Sequence, residues 1–308
     1  MVCAGFECFD LHADATDRSR TFLGFDRNDY PGDNSLKELH NTFAYAGYWL
    51  NNPPGAKTNT WAGKRSQVEA AGFGFLVLFN GRLYRDLDAN PSQLGGSDAA
   101  AGVAAAKREG FPAQTIVFLD QEEGGRLLPE QKAYLLAWVD GVSQAGFRAG
   151  VYCSGAAAPE KGGGRVITAQ DIRQSAGARS ITYWVTNDAC PPSPGCTLTT
   201  KPPLPSESAI QFADIWQFAQ SPRRKEVTTT CTGYNSDGNC YAAGTSVQQS
   251  IHLDLNSASS ADLYRSNVVP KESGSIHPRS SSLDMLLSLE SHRNRQLRRA
   301  CLVEGCNC

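Results

Sequence analysis

Thr115-Ile116-Val117-Phe118-Leu119-Asp120-Gln121-Glu122 is a short apolar run that carries no charge until its end. Its length and its β-branched and aromatic content predict a buried strand. Strand side chains alternate between faces, so Asp120 and Glu122 point to the same side. Two carboxyls held together at the carboxyl end of a strand are suited to acid/base chemistry.

Similar runs recur on both sides of this one. They cover residues 21–26, 43–49, 73–79, 148–153, 181–186, 213–218 and 251–255. Helical signals lie between them. Ser35 and Glu38 have the spacing of a capping box, and a second helix spans Arg65 to Ala71 and stops at Gly72. An alanine-rich helix is expected from Ser97 to Gly110, with Pro112 just beyond, and another from Pro129 to Gly146. Both show the start and stop signals of helices. A glycine-rich connection, Gly162-Gly163-Gly164, precedes a short helix that begins at Thr168.

Eight strands with helices between most of them predict an α/β fold. The spacing suits a (β/α)8 barrel of the TIM type, which usually needs about 250 residues. The sixth and seventh strands are joined by a proline-rich loop, so one or two helices are expected to be missing and the barrel to be irregular. The alternative is an open, doubly wound sheet. Three segments are expected: an N-terminal extension over 1–20, the barrel over 21–265, and a partly helical tail over 266–308.

The chain has 308 residues and a formal net charge of -2, which argues against a nucleic-acid partner. No apolar run is long enough to span a membrane. Met1 to Asp10 lacks the basic start and apolar stretch of a secretory signal. The ten cysteines point the other way. Cys190 and Cys196, and Cys231 and Cys240, bracket turn-rich loops where disulfides would close short rings. Cys3, Cys8, Cys301, Cys306 and Cys308 are further candidates, whereas Cys153 ends an apolar strand and reads as a buried thiol. The cysteines favour an oxidising, extracellular or cell-envelope location. The five histidines are scattered and form no metal pattern, and no serine-hydrolase elbow or dinucleotide fingerprint is present. No metal and no cofactor are expected.

In a barrel of this kind the chemistry sits at the carboxyl ends of the strands. Asp26, Asp120, Glu122 and Asp254 all stand at such ends. The first and eighth strands of a closed barrel are neighbours, so Asp26 and Asp254 are expected to meet. Convergent carboxyls are what cleavage of a glycosidic bond requires. Tyr48, Tyr152, Trp184 and Trp216 cluster at the same level and offer faces on which sugar rings stack. Gln217 and Asn256 offer hydrogen bonds to sugar hydroxyls.

These residues also carry a family resemblance. Gly24-Phe25-Asp26, Asp120-Gln121-Glu122, residues 146–152 (GFRAGVY), Trp216-Gln217-Phe218 and Asp254-Leu255-Asn256 resemble, in order, motifs of the family 25 glycoside hydrolases. The chain is more similar still to a related glycoside-hydrolase-like domain family of unknown function (DUF 1906). The resemblance runs from about Phe22 to Ala261. It implies a modified barrel that cleaves the β-1,4 link between N-acetylmuramic acid and N-acetylglucosamine. It makes Glu122 the general acid and Asp120 the nucleophile or charge stabiliser, with Asp26 and Asp254 as supporting carboxylates. The chain departs from family 25 at Asp188, where an aromatic residue is usual, and in its two cysteine-bracketed loops.

The expected activity is hydrolysis of peptidoglycan or a related N-acetylated polysaccharide, the expected partner being that polysaccharide. The alternatives are a catalytically inactive carbohydrate-binding barrel of the envelope, and an envelope interaction protein that uses the cysteine loops and tail.

Overall fold

The computed structural model describes residues 20–87, 89–187, 202–219 and 253–264. Residues 1–19, the expected tail, Asp188 and every cysteine of the expected disulfides lie outside the described residues. Cys153 is a buried free thiol, and burial pushes it up to about 12.

Eight strands close into a barrel: β1 (Phe22–Asp26), β2 (Tyr45–Trp49), β3 (Gly74–Asn80), β4 (Ile116–Asp120), β5 (Arg148–Ser154), β8 (Thr182–Thr186), β9 (Ile215–Ala219) and β10 (Asp254–Ala258). A two-stranded hairpin, β6 (Ala157–Pro159) and β7 (Arg165–Ile167), rises from the end of β5. Around the barrel the order is β1, β10, β9, β8, β5, β4, β3, β2. Six of the eight barrel contacts are parallel, as in an ordinary (β/α)8 barrel. The closing strand departs from that pattern: β10 runs antiparallel to both β1 and β9. It also begins at Asp254, three residues later than the apolar run suggests.

The helices are α1 (Asp33–Leu39), α2 (Arg65–Ala70), α3 (Pro91–Arg108), α4 (Pro129–Gln144) and α5 (Thr168–Ser175). Two starts differ from expectation. Ser35 lies inside α1, which begins after Gly32 with no side-chain cap, so the expected capping box is not formed. The first turns of α3 run from Pro91, because proline at the first helical position supplies a start that the glycines behind it obscure. Three helices stop alike. Gly72, Gly110 and Gly146 take φ of 93°, 83° and 82°, and the phenylalanine after each donates its N–H back into the last turn. Phe73, Phe111 and Phe147 are thereby buried at the entry to the next strand.

Close approach governs the packing. A Cβ on Gly95 of α3 would lie 2.2 Å from the Tyr134 carbonyl oxygen, and one on Gly141 of α4 would lie 2.7 Å from Ala99 Cβ. Small residues therefore let α3 and α4 lie against each other. The same rule applies inside the barrel. A Cβ on Gly24 would lie 2.0 Å from the Tyr45 ring, and one on Gly150 would lie 2.4 Å from the Phe118 ring. Tyr45, Phe118 and Trp184 are fully or almost fully buried. Large rings thus interlock with missing side chains across the lumen, as the close packing of protein interiors demands.

Candidate active site

Asp26 ends β1, and the register pairs it directly with Asp254, the first residue of β10. The reversal of β10 is what places Asp254 here. In a parallel closing strand the mouth would receive the strand's last residues; in this antiparallel one it receives the first. Asp120 ends β4, paired with Asn80 on one side and Tyr152 on the other. Alternation along the strands turns Asp26, Asp120, Tyr152, Trp184, Gln217 and Asn256 to the lumen.

Asp26 is held by a buried network. Its Oδ2 accepts from Gln217 Nε2 at 2.9 Å and from Asn256 Nδ2 at 2.7 Å. Tyr152 donates its hydroxyl to Gln217 Oε1 at 2.8 Å, and Trp184 donates Nε1–H to Asn256 Oδ1 at 2.8 Å. The Tyr152 and Trp184 rings then meet at 4.3 Å, so the network closes on itself. Each outer residue fixes which way an amide points, and each amide aims its N–H at Asp26. Burial raises the proton affinity of Asp26 well above the usual carboxylate range, and the charge of Asp254 adds to it. The two amides oppose that rise.

Asp120 is only 4% exposed, and its Oδ1 has no hydrogen-bond partner among the described residues. Burial raises its carboxyl well above the usual range, followed by the charges of Glu122 and Asp26 and a hydrogen bond with Glu122. Glu122 is open to solvent at the rim, yet its carboxyl is crowded on the barrel side. That crowding raises its proton affinity too, while Asp120 opposes the rise. Two carboxyls joined in this way hold a proton between them at a pH where isolated ones have lost theirs.

This arrangement has a consequence for stability. A carboxyl with a raised folded-state pKa binds more protons folded than unfolded, so its contribution falls as pH rises. The loss starts near the unfolded value, about 4, and costs up to about 1.4 kcal/mol per pH unit for each extra proton held. Replacing Asp120 by asparagine removes the charge and keeps the shape. We expect the urea stability of Asp120→Asn to be flatter than wild type above pH 4 and to exceed it at pH 8. An unchanged slope would show that Asp120 ionises in the fold as freely as in water.

Two expected ligand-side aromatics are not brought to this mouth. Tyr48 faces outward, packed against Trp61, Phe75 and Phe111, and donates its hydroxyl to Glu109. Trp216 occupies the face of β9 opposite Gln217 and donates Nε1–H to the Asn187 carbonyl. Both misplacements have one cause: each is one residue out of phase with a lumen-facing neighbour. Tyr152, Trp184, Gln217 and Asn256 do reach the lumen but lie at its floor, no more than 6% exposed.

The loop after β4 contains two adjacent glycines, Gly124 and Gly125, which would leave an unanchored loop free to move. It is instead tied down. Gly125 exchanges two hydrogen bonds with the Thr168 hydroxyl at the start of α5. Leu127 N–H and Lys132 Nζ reach the buried Asp171 at 3.0 and 2.8 Å. Arg126 bridges Asp171 to Glu160 on the hairpin. Glu123, which sequence reading passed over, accepts from Tyr84 N–H at 2.7 Å and from Gln131 Nε2 at 2.6 Å. An acidic run hides this role, because nothing in it distinguishes a structural carboxylate from a reactive one. Among the described residues, no group of three or more His, Cys, Asp or Glu side chains is placed to hold a metal ion, and no helix is long and apolar enough to cross a membrane.

No curated protein matches the chain by sequence. Among solved structures it is similar to an uncharacterized B. stearothermophilus protein, at 15% identity and a TM-score of 0.46, over 76% of this chain and 94% of that one. It is also similar to the Tat-secreted protein Rv2525c of Mycobacterium tuberculosis, crystallised with L-tartrate, at 13% identity and a TM-score of 0.43, over 77% and 94%. A family 25 glycosyl hydrolase from Bacillus anthracis is similar at 12% identity and a TM-score of 0.40, over 79% and 90%. Residues 40–189, from the end of α1 to just past β8, match the model of one family. That family is the Rv2525c-like, glycoside hydrolase-like domain, to which this stretch of the chain is similar.

Proposed function

We propose that this protein is a glycoside hydrolase that cuts β-1,4 links in peptidoglycan or a related N-acetylated polysaccharide. The observation that carries the reading is the gathering of Asp26, Asp120 and Glu122 at one barrel mouth, all with raised proton affinity. Glu122 is the general acid. It is the member of the pair that reaches solvent, so it can give a proton to the glycosidic oxygen. Asp120 lies deeper and is 4% exposed, which suits a group that stabilises positive charge at the sugar carbon or orients an N-acetyl group. Asp26 and Asp254 set the local field, and Gln217 and Asn256 hold Asp26 in place. Tyr152, Trp184, Gln217 and Asn256 shape the floor beneath the sugar. Such a substrate lies outside the cell membrane, so the protein belongs to the envelope or the extracellular space.

A second reading is a barrel that binds glycan without cutting it. The depth of Asp120 favours it, because a sunken carboxyl makes a poor nucleophile. One assay separates the two. Purified peptidoglycan and chitohexaose are incubated with the full-length protein, and products are followed by reducing ends and mass spectrometry. Shortened glycans with new reducing ends are expected. Binding without product would support the second reading, and absence of both would remove the glycan from the account.

A further inference from the structure

Among the described residues, two large apolar side chains are exposed: Tyr84 at 45% and Leu128 at 44%. They come from different loops, after β3 and after β4, yet one hydrogen-bonded unit holds both. Glu123 Oε2 accepts from Tyr84 N–H at 2.7 Å and from Gln131 Nε2 at 2.6 Å. Gln131 Oε1 in turn accepts from Leu128 N–H at 2.9 Å. Glu123 is the residue directly after the acid Glu122. The clamp therefore fixes the backbones that bear two apolar side chains on the rim, one residue from the proposed proton donor.

The Tyr84 loop is anchored on its other side as well. Gly81 N–H reaches the Asp120 carbonyl at 3.2 Å. Arg82 grips Asp98 of α3 through Nε at 2.7 Å and Nη2 at 2.9 Å. Asp98 is braced from behind by the Tyr134 hydroxyl at 2.8 Å. A surface aromatic on a loop held at three points loses little freedom on meeting a ligand, which favours binding.

We infer that Tyr84, with Leu128 held in the same hydrogen-bonded unit, is a sugar-stacking subsite for a hexosamine unit of the chain at a distance from the bond being cut. This rests on the glycan reading given above and adds a contact to it. A polysaccharide extends past the reacting link, and its pyranose rings present apolar faces that an exposed aromatic ring covers. Tyr84 and Leu128 enter the clamp through their backbone N–H groups, so it survives changes in the Tyr84 side chain.

The test compares a long and a short oligosaccharide. Binding of chitohexaose and of chitobiose to the full-length protein is measured by calorimetry, and turnover in parallel, for wild type, Tyr84→Ala, Tyr84→Phe and Leu128→Ala. Tyr84→Ala is expected to weaken chitohexaose binding about tenfold, in line with the strength of aromatic contacts. Chitobiose binding and turnover are expected to stay at wild-type levels, and Tyr84→Phe, which keeps the ring, is expected to restore long-chain affinity. Leu128→Ala should give a smaller loss of the same kind. Equal chitohexaose affinity in wild type and Tyr84→Ala overturns the subsite and leaves the hydrolase reading intact. A Tyr84-dependent affinity without product supports the subsite and removes the hydrolase. If wild type binds no chitohexaose, the subsite is overturned.

Discussion

Glu122→Gln is expected to lower the rate of glycan cleavage by about 10²–10⁴-fold, the range that a positioned general acid supplies. Glutamine has the same shape and cannot donate a labile proton, so the loss is in chemistry and not in packing. The residue is exposed at the rim, and the surrounding loop is held by Thr168, Asp171 and Glu123, none of which bonds to the Glu122 side chain. Glutamine keeps a hydrogen-bonding group beside Asp120 and removes a charge there, so the thermal midpoint at neutral pH is expected not to fall below that of wild type. Removing one carboxyl of the pair also relieves the charge pressure on Asp120. The variant should lose the upper limb of the activity–pH profile along with the rate. Near wild-type turnover by Glu122→Gln on purified peptidoglycan would take the general-acid role away from this residue.

The largest effect on stability is expected from a methyl group. In Gly24→Ala, the added Cβ would lie 2.0 Å from the Tyr45 ring. Tyr45 is fully buried and cannot swing aside. Overpacking a tight core costs about 1–3 kcal/mol and occasionally more, and this contact belongs at the upper end. For a domain of this size, about 3 kcal/mol corresponds to a fall in melting temperature of roughly 6–12 °C. The second variant, Gly24→Ala with Tyr45→Leu, frees the space and should recover part of the loss. The gap between the double variant and the sum of the singles measures the clash itself. An unchanged melting temperature in Gly24→Ala would mean that β1 and β2 are free to shift apart.

Much of this architecture is legible in the chain because its signals are local. Seven of the barrel strands lie in short apolar runs, and Gly72, Gly110 and Gly146 mark helix ends by a backbone conformation that few other residues adopt. What was not legible needs information from across the fold. The direction of β10 is one example: an isolated strand has no preferred orientation, and only its pairing with β1 and β9 decides it. Facing is another. Trp216 and Gln217 are adjacent in sequence and sit on opposite sides of one strand, and register alone tells which of them sees the lumen. The third is Glu123, whose role is set by Tyr84 and Gln131, residues 39 and 8 positions away.

The reversed last strand has a consequence for how the protein comes into being. Asn256, one of the two amides that grip Asp26, arrives with the last barrel strand to be synthesised, and so does Asp254. Until residues 254–258 are in place, β1 and β9 keep bare hydrogen-bonding edges, the kind that recruit other chains. A message cut short before this point would yield seven strands with an open seam and a half-gripped Asp26. The chain's beginning and its closing strand must therefore find each other before the carboxyl cluster exists at all.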